Sequence, residues 1–251
     1  MNPSFAQDPA TLLFALVSGT LPAVIWLWYW IKEDDIKKPP LGLVALTFIT
    51  GMIMVVLVVP LERFMETLFT DQMTLITAWA VCEEFLKFAA FGIIALASRY
   101  CQEPIDYPIY CMTAALGFAA FENTLYLVRP VGLQDTTVTL LTTNLRFLGS
   151  TLLHSITTGF IGLMMGLAFF QDSIVRLGSV IVGFIFAVSL HSVFNFFIMK
   201  NNGENFLQVF AVLWVVSIIS ILVFEKVRRM SYEMYEGSIR VTHAKRVAAQ
   251  S

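Results

Sequence analysis

Charge is the first thing this sequence is short of. Only 14% of its 251 residues are Asp, Glu, Lys or Arg, against about a quarter in ordinary soluble domains. The formal net charge is −2, so no basic face exists to hold a nucleic acid and no charge asymmetry exists to steer an anionic partner. Cysteine is scarce too. Cys82, Cys101 and Cys111 are odd in number and lack CxxC spacing, which excludes a disulfide framework and a thiolate metal site. No Lys or Arg precedes Lys32, so a cleaved signal peptide is not expected and the first apolar helix should persist. The only Asn-x-Ser/Thr triplet is the Pro-blocked Asn2-Pro3-Ser4. Gly-x-Ser-x-Gly and His-Glu-x-x-His motifs are missing, as are low-complexity tracts and long repeats.

What is present is apolar. Hydrophobic residues make up 57% of the chain and the mean hydropathy is +0.75, values that name lipid as the solvent. A membrane-crossing helix needs about 20 mostly apolar residues. Stretches at about 11–31, 41–60, 73–98, 107–128, 146–170, 177–199 and 205–224 meet that need. The expected fold is therefore all-α, a bundle of about seven transmembrane helices. One integral-membrane domain should cover 1–224, with its core at about 73–199, followed by a polar tail over 225–251.

Lys and Arg set the expected orientation. With the N-terminus outside and the C-terminus cytoplasmic, eleven basic residues fall on inner segments and only Arg63, Arg129, Arg146 and Lys200 on outer ones. The run Trp26-Leu-Trp28-Tyr29-Trp30 just before Lys32 fits an aromatic belt at the inner interface. Arg146 reads as an interface anchor, and His243 as a solvated tail residue.

Four of the 34 charged side chains lie inside expected spans: Glu83, Glu84, Lys87 and Glu122. His154 and His191 lie there as well. A charge at the bilayer centre costs at least about 2.5–3.5 kcal/mol, so such residues mark functional sites by default. Counted at about 1.5 Å per residue from the outer end of each helix, the glutamates and histidines fall roughly 9–16 Å deep, in one layer. Glu83 and Glu84 precede Lys87 by four and three residues, so one ammonium reaches either carboxylate. His191 and Asn195 share a face, and His154, Thr158, Gly162 and Gly166 form an i+4 line whose glycines suit close helix packing. Asn123, beside Glu122, is either a supporting donor to the site or a helix–helix hydrogen bond.

This constellation suits amide hydrolysis. A glutamate acts as general base on water, and His and Asn donors stabilise the oxyanion. Glu83-Glu84-Phe-Leu-Lys87, Gly117-Phe118-Ala-Ala-Phe121-Glu122-Asn123, His154 with its small-residue face, and Leu190-His191-Ser-Val-Phe194-Asn195 together resemble the PrsW family of intramembrane proteases. That family is grouped with CAAX prenyl proteases and bacteriocin-processing proteins. The resemblance implies catalytic roles for Glu83, Glu84, His154, His191 and Asn195, supported by Lys87, Glu122 and Asn123. It also implies an enzyme of the bacterial cell membrane that cleaves a membrane-anchored protein, such as a single-span anti-sigma factor, and takes no nucleic-acid partner. The CAAX form reads Glu-Glu-x-x-x-Arg and Phe-x-x-x-His. Here Lys87 comes one position earlier than that Arg and Glu122 replaces the histidine, which argues against prenylated substrates.

No cofactor is expected on the glutamate reading. Two alternatives keep the same residues: a zinc-dependent membrane hydrolase, since Glu and His ligate zinc, and a non-catalytic scaffold or proton-coupled carrier. No matched pair of broken segments supports the carrier.

Overall fold

The computed structural model describes residues 9–34, 37–128, 136–199 and 206–248. Among them every regular element is helical: α1 (Pro9–Lys32), α2 (Leu41–Leu68), α3 (Gln72–Phe91), α4 (Asp106–Val128), α5 (Thr136–Leu167), α6 (Ser173–Met199) and α7 (Phe206–Ala248). A π-helical turn, Gly92–Leu96, ends α3. The bundle expected from hydropathy is therefore present. Six helices are long and apolar enough to cross a membrane. The exception is α3, where Glu83, Glu84 and Lys87 interrupt the apolar run.

Several ends differ from the sequence-based boundaries, each for a local reason. The α2 helix runs through Pro60 to Leu68, since proline is tolerated inside membrane helices more readily than in soluble ones. Glu62, Arg63 and Glu66 are thereby helical rather than in a loop. The start of α6 lies at Ser173 because Asp172 Oδ1 accepts from the N–H groups of Ile174 (3.0 Å) and Val175 (2.9 Å), which caps the free end. Asp71 caps α3 likewise, accepting from Thr74 Oγ1 at 2.7 Å and Thr74 N–H at 2.8 Å, and these bonds hold its carboxyl below the usual range. The α5 helix begins at Thr136, ten residues before the expected apolar stretch. The α7 helix continues past Phe224 to Ala248, so the polar tail extends a membrane helix. The side chains of Arg146 and His243, and all of Arg129 and Lys200, lie outside the described residues.

The central helix is α4, which is buried almost without interruption from Pro108 to Ala120 and packs against α1, α2, α3 and α5. Lipid tails are as apolar as leucine, so helices here associate through close packing of small residues rather than through water exclusion. Between α2 and α4 this closeness is reciprocal. A methyl on Gly51 would strike the Ala114 carbonyl, and one on Gly117 would strike the Phe48 carbonyl. On α5, Gly162 and Gly166 approach the start of α4, with a Cβ on Gly162 falling 2.6 Å from Pro108 Cα. The glycines in the His154 line thus serve packing.

The aromatic run divides by face. Trp28 is exposed and carries the Lys32 ammonium 4.3 Å from its ring, as a belt residue would. Trp30 is instead buried, donates to Ser155 Oγ on α5 at 3.2 Å and packs against Phe224 of α7. Beside it, Arg228 of α7 pairs with Glu33 at 3.2 Å, and Ser231 Oγ accepts the Ile105 N–H at 3.0 Å. At this end burial, then Asp106, pushes the Cys101 thiol up to about 12, so it remains a protonated filler. Burial, with Asp34 nearby, likewise raises the Glu103 carboxyl.

Replacing Gly117 by Val should force α2 and α4 apart and cost about 2–3 kcal/mol, read as a lower melting temperature in detergent. Gly178→Ala, where the added methyl meets nothing within 4 Å, should leave it unchanged or higher.

Candidate active site

Adjacent residues on a helix point about 100° apart, so Glu83 and Glu84 cannot face the same way. Glu84 points into the bundle and is fully buried. Its Oε1 accepts from Lys87 Nζ at 2.9 Å, Thr157 Oγ1 at 2.9 Å and His191 Nδ1 at 2.7 Å. Its Oε2 accepts from Thr158 Oγ1 at 2.7 Å. Four donors from α3, α5 and α6 meet this one carboxylate. A buried charge in a lipid-surrounded bundle persists only when it is met in this way.

Glu83 occupies the wall of a cavity of about 560 Å³. Its Oε2 accepts from Lys87 Nζ at 3.2 Å, lies 3.7 Å from His191 Nε2 and 3.9 Å from His154 Nδ1. The same cavity is lined by Glu122, His154, His191 and Asn195, with Glu62, Arg63, Glu66 and Trp79 also contributing. The Glu122 side chain is 41% exposed and joins His154 Nε2 at 2.8 Å. The two imidazoles lie nearly perpendicular, 5.1 Å apart at their centroids.

Of the residues singled out from sequence, Glu83, Glu84, Lys87, Glu122, His154 and His191 form one connected cluster. Asn195 joins them on the cavity wall. Asn123 does not: it donates to Thr151 Oγ1 at 3.1 Å, tying α4 to α5. Sequence reasoning missed Thr157 as a partner of Glu84 and treated Thr158 only as part of a packing line. Their spacing of three and four residues after His154 placed both on the imidazole's face, which was the available signal. It also missed Glu62, Arg63 and Glu66, because the apolar stretch ends at residue 60 and these three charges read as part of the polar break that follows.

The donor set can be tested for a metal. Among the described residues, Glu83, His154 and His191 bring one ligand atom each within 4.8 Å of one another. On a four-coordinate zinc with bonds near 2.0–2.2 Å, ligand atoms lie about 3.3–3.5 Å apart, close to the separations above. Each imidazole also turns its other nitrogen to a carboxylate, His191 to Glu84 and His154 to Glu122. Such partners fix the ring and its tautomer and put the remaining lone pair on the nitrogen facing the cavity, where it could ligate a metal. These residues fit a zinc-type divalent ion.

The family model described as PrsW family intramembrane metalloprotease matches residues 39–222. The chain is 29% identical over 120 residues to Protease PrsW of Oceanobacillus iheyensis, covering 47% of this chain and 55% of that protein. It is 31% identical over 123 residues to Protease PrsW of Geobacillus kaustophilus, covering 46% and 53%, and 26% identical over 120 residues to that of Bacillus subtilis, covering 46% and 55%. The match thus spans about half the length of each relative. No solved structure matches the chain.

The two glutamates should separate in stability. Glu84→Ala leaves Lys87 and two threonines facing a void and should cost about 3–5 kcal/mol. Glu83→Ala, on the cavity wall, should cost about 1–2 kcal/mol, since Lys87 keeps Glu84 and His154. Unfolding in detergent checks this, and equal losses would contradict it.

Proposed function

This chain belongs to the PrsW family, described as intramembrane metalloproteases, and on that premise we propose that it is an endopeptidase hydrolysing a peptide bond in a membrane-anchored protein. The observation that carries the reading is the convergence of Glu83, His154 and His191 on one cavity, with Glu84 locked behind them. A substrate of the single-span type, such as an anti-sigma factor in a bacterial membrane, suits a cavity sunk between helices.

Glu83 is the carboxylate placed to take a proton from water and pass it to the leaving amine. Glu84 has every oxygen engaged and acts through others, orienting His191 and Lys87. Asn195, one turn beyond His191 on the cavity wall, donates its amide hydrogen to the developing oxyanion.

The fit of Glu83, His154 and His191 to a zinc-type ion favours a second mechanism on the same residues. A bound divalent ion would supply Lewis acidity to the hydrolysis. Glu83 would then hold the ion with His154 and His191, and Glu122, the partly exposed carboxylate of the cavity, would be the group left to take the proton. Both mechanisms make the same enzyme.

With purified protein in liposomes carrying a single-span substrate, Glu83→Gln should abolish cleavage. Asn195→Ala should lower kcat about 10²–10³-fold. Cleavage that stops with chelator and returns with zinc selects the metal mechanism; chelator-insensitive cleavage selects glutamate alone. Full activity in Glu83→Gln would overturn both.

A further inference from the structure

One ammonium holds two of the three candidate ligand atoms. Lys87 Nζ lies 2.6 Å from His154 Nδ1 and 3.2 Å from Glu83 Oε2, besides its 2.9 Å bond to Glu84 Oε1. The His154 ring has its other nitrogen committed to Glu122 at 2.8 Å. A neutral imidazole with Nε2–H given to a carboxylate has a single in-plane lone pair, on Nδ1. That lone pair accepts the Lys87 N–H or ligates a metal; it cannot do both.

We propose that Lys87 is a built-in competitor of the metal, holding the site assembled in its absence and setting how tightly a divalent cation binds. The proposal rests on the reading of Glu83, His154 and His191 as the ligand set.

Three further observations support competition over simple charge balance. The third candidate ligand atom, His191 Nε2, lies 3.7 Å from Glu83 Oε2. Two acceptors at that separation have no proton to share when His191 Nδ1–H is given to Glu84. A cation bound to both atoms would satisfy the pair, whereas Lys87 supplies its charge to Glu83. The charge also fits: three carboxylates and one ammonium leave two negative charges, the charge of one divalent ion. Finally, Lys87 has somewhere to stay. It can release His154 and Glu83 while keeping Glu84, over the Phe118 ring 4.6 Å away, so metal entry asks for a small movement of the lysine rather than its expulsion from a buried position.

The test titrates zinc into full-length protein in detergent micelles against a chromophoric chelator, with melting temperature recorded with and without EDTA. Lys87→Met removes the competitor while keeping an unbranched chain of similar volume. It should bind zinc about ten- to a hundredfold more tightly than the wild type, the range expected for loss of one charge-assisted hydrogen bond. Its melting temperature should fall with EDTA, whereas that of the wild type should not. Lys87→Arg, which retains a cation, should not gain affinity. If Lys87→Met does not fold, Lys87→Gln keeps a donor for Glu84 without the charge and carries the same comparison. Equal or weaker zinc binding in the uncharged variants, with the wild type binding zinc, would overturn competition and leave the metal reading standing. No zinc bound by any variant at millimolar concentration would overturn both, and Glu83-dependent cleavage would then survive on the glutamate mechanism.

Discussion

A single buried carboxylate sets the terms for the rest of this structure. Glu84 is fully enclosed in a bundle whose outer surface is apolar, where an unmatched charge would cost many kcal/mol. Matching it takes Lys87 from its own helix, Thr157 and Thr158 from α5, and His191 from α6. Those bonds hold three helices in one register. They also orient the imidazole and the ammonium that face Glu83. The geometry of the candidate site is thus a consequence of how the Glu84 carboxylate is matched by donors inside the bundle.

The spine α4 provides the other half of the arrangement. Close approach at Gly51 and Gly117 brings α2 against α4, which carries Phe118 beneath Lys87 and Glu122 beside His154. Each polar group of the site rests on a neighbour that hydrophobic force alone would not have placed. Tight backbone contact positions the helices, and hydrogen bonds then choose among the packings that contact allows. At the far end, the Arg228–Glu33 pair and the Ile105–Ser231 bond draw α7 onto α1 and the segment before α4. The polar continuation of α7 is thereby joined to the bundle.

Much of the site was legible in one dimension because lipid makes charge conspicuous. Glu83, Glu84, Lys87, Glu122, His154 and His191 stood out against apolar helices, and helical spacing paired Lys87 with both glutamates. Thr157 and Thr158 did not stand out. Hydroxyls are cheap in membrane helices because they bond their own backbone, so nothing in the sequence distinguishes two that reach a carboxylate from others, such as Thr113, that satisfy themselves locally. Glu62 and Arg63 were hidden because hydropathy ends the second span at residue 60, whereas the helix continues past that apolar run to Leu68.

The amino-acid sequence by itself determined the solvent, the helices and the roster of polar residues buried in them, since each follows from local composition and period. It could not rank the two adjacent glutamates. That took the packing of α5 and α6 against α3, which surrounds one carboxylate with four donors and leaves its neighbour, a hundred degrees around the helix, on a cavity with two imidazoles. Which atoms converge is a property of helix-to-helix distance and rotation, and those are fixed by contacts between residues far apart in the chain.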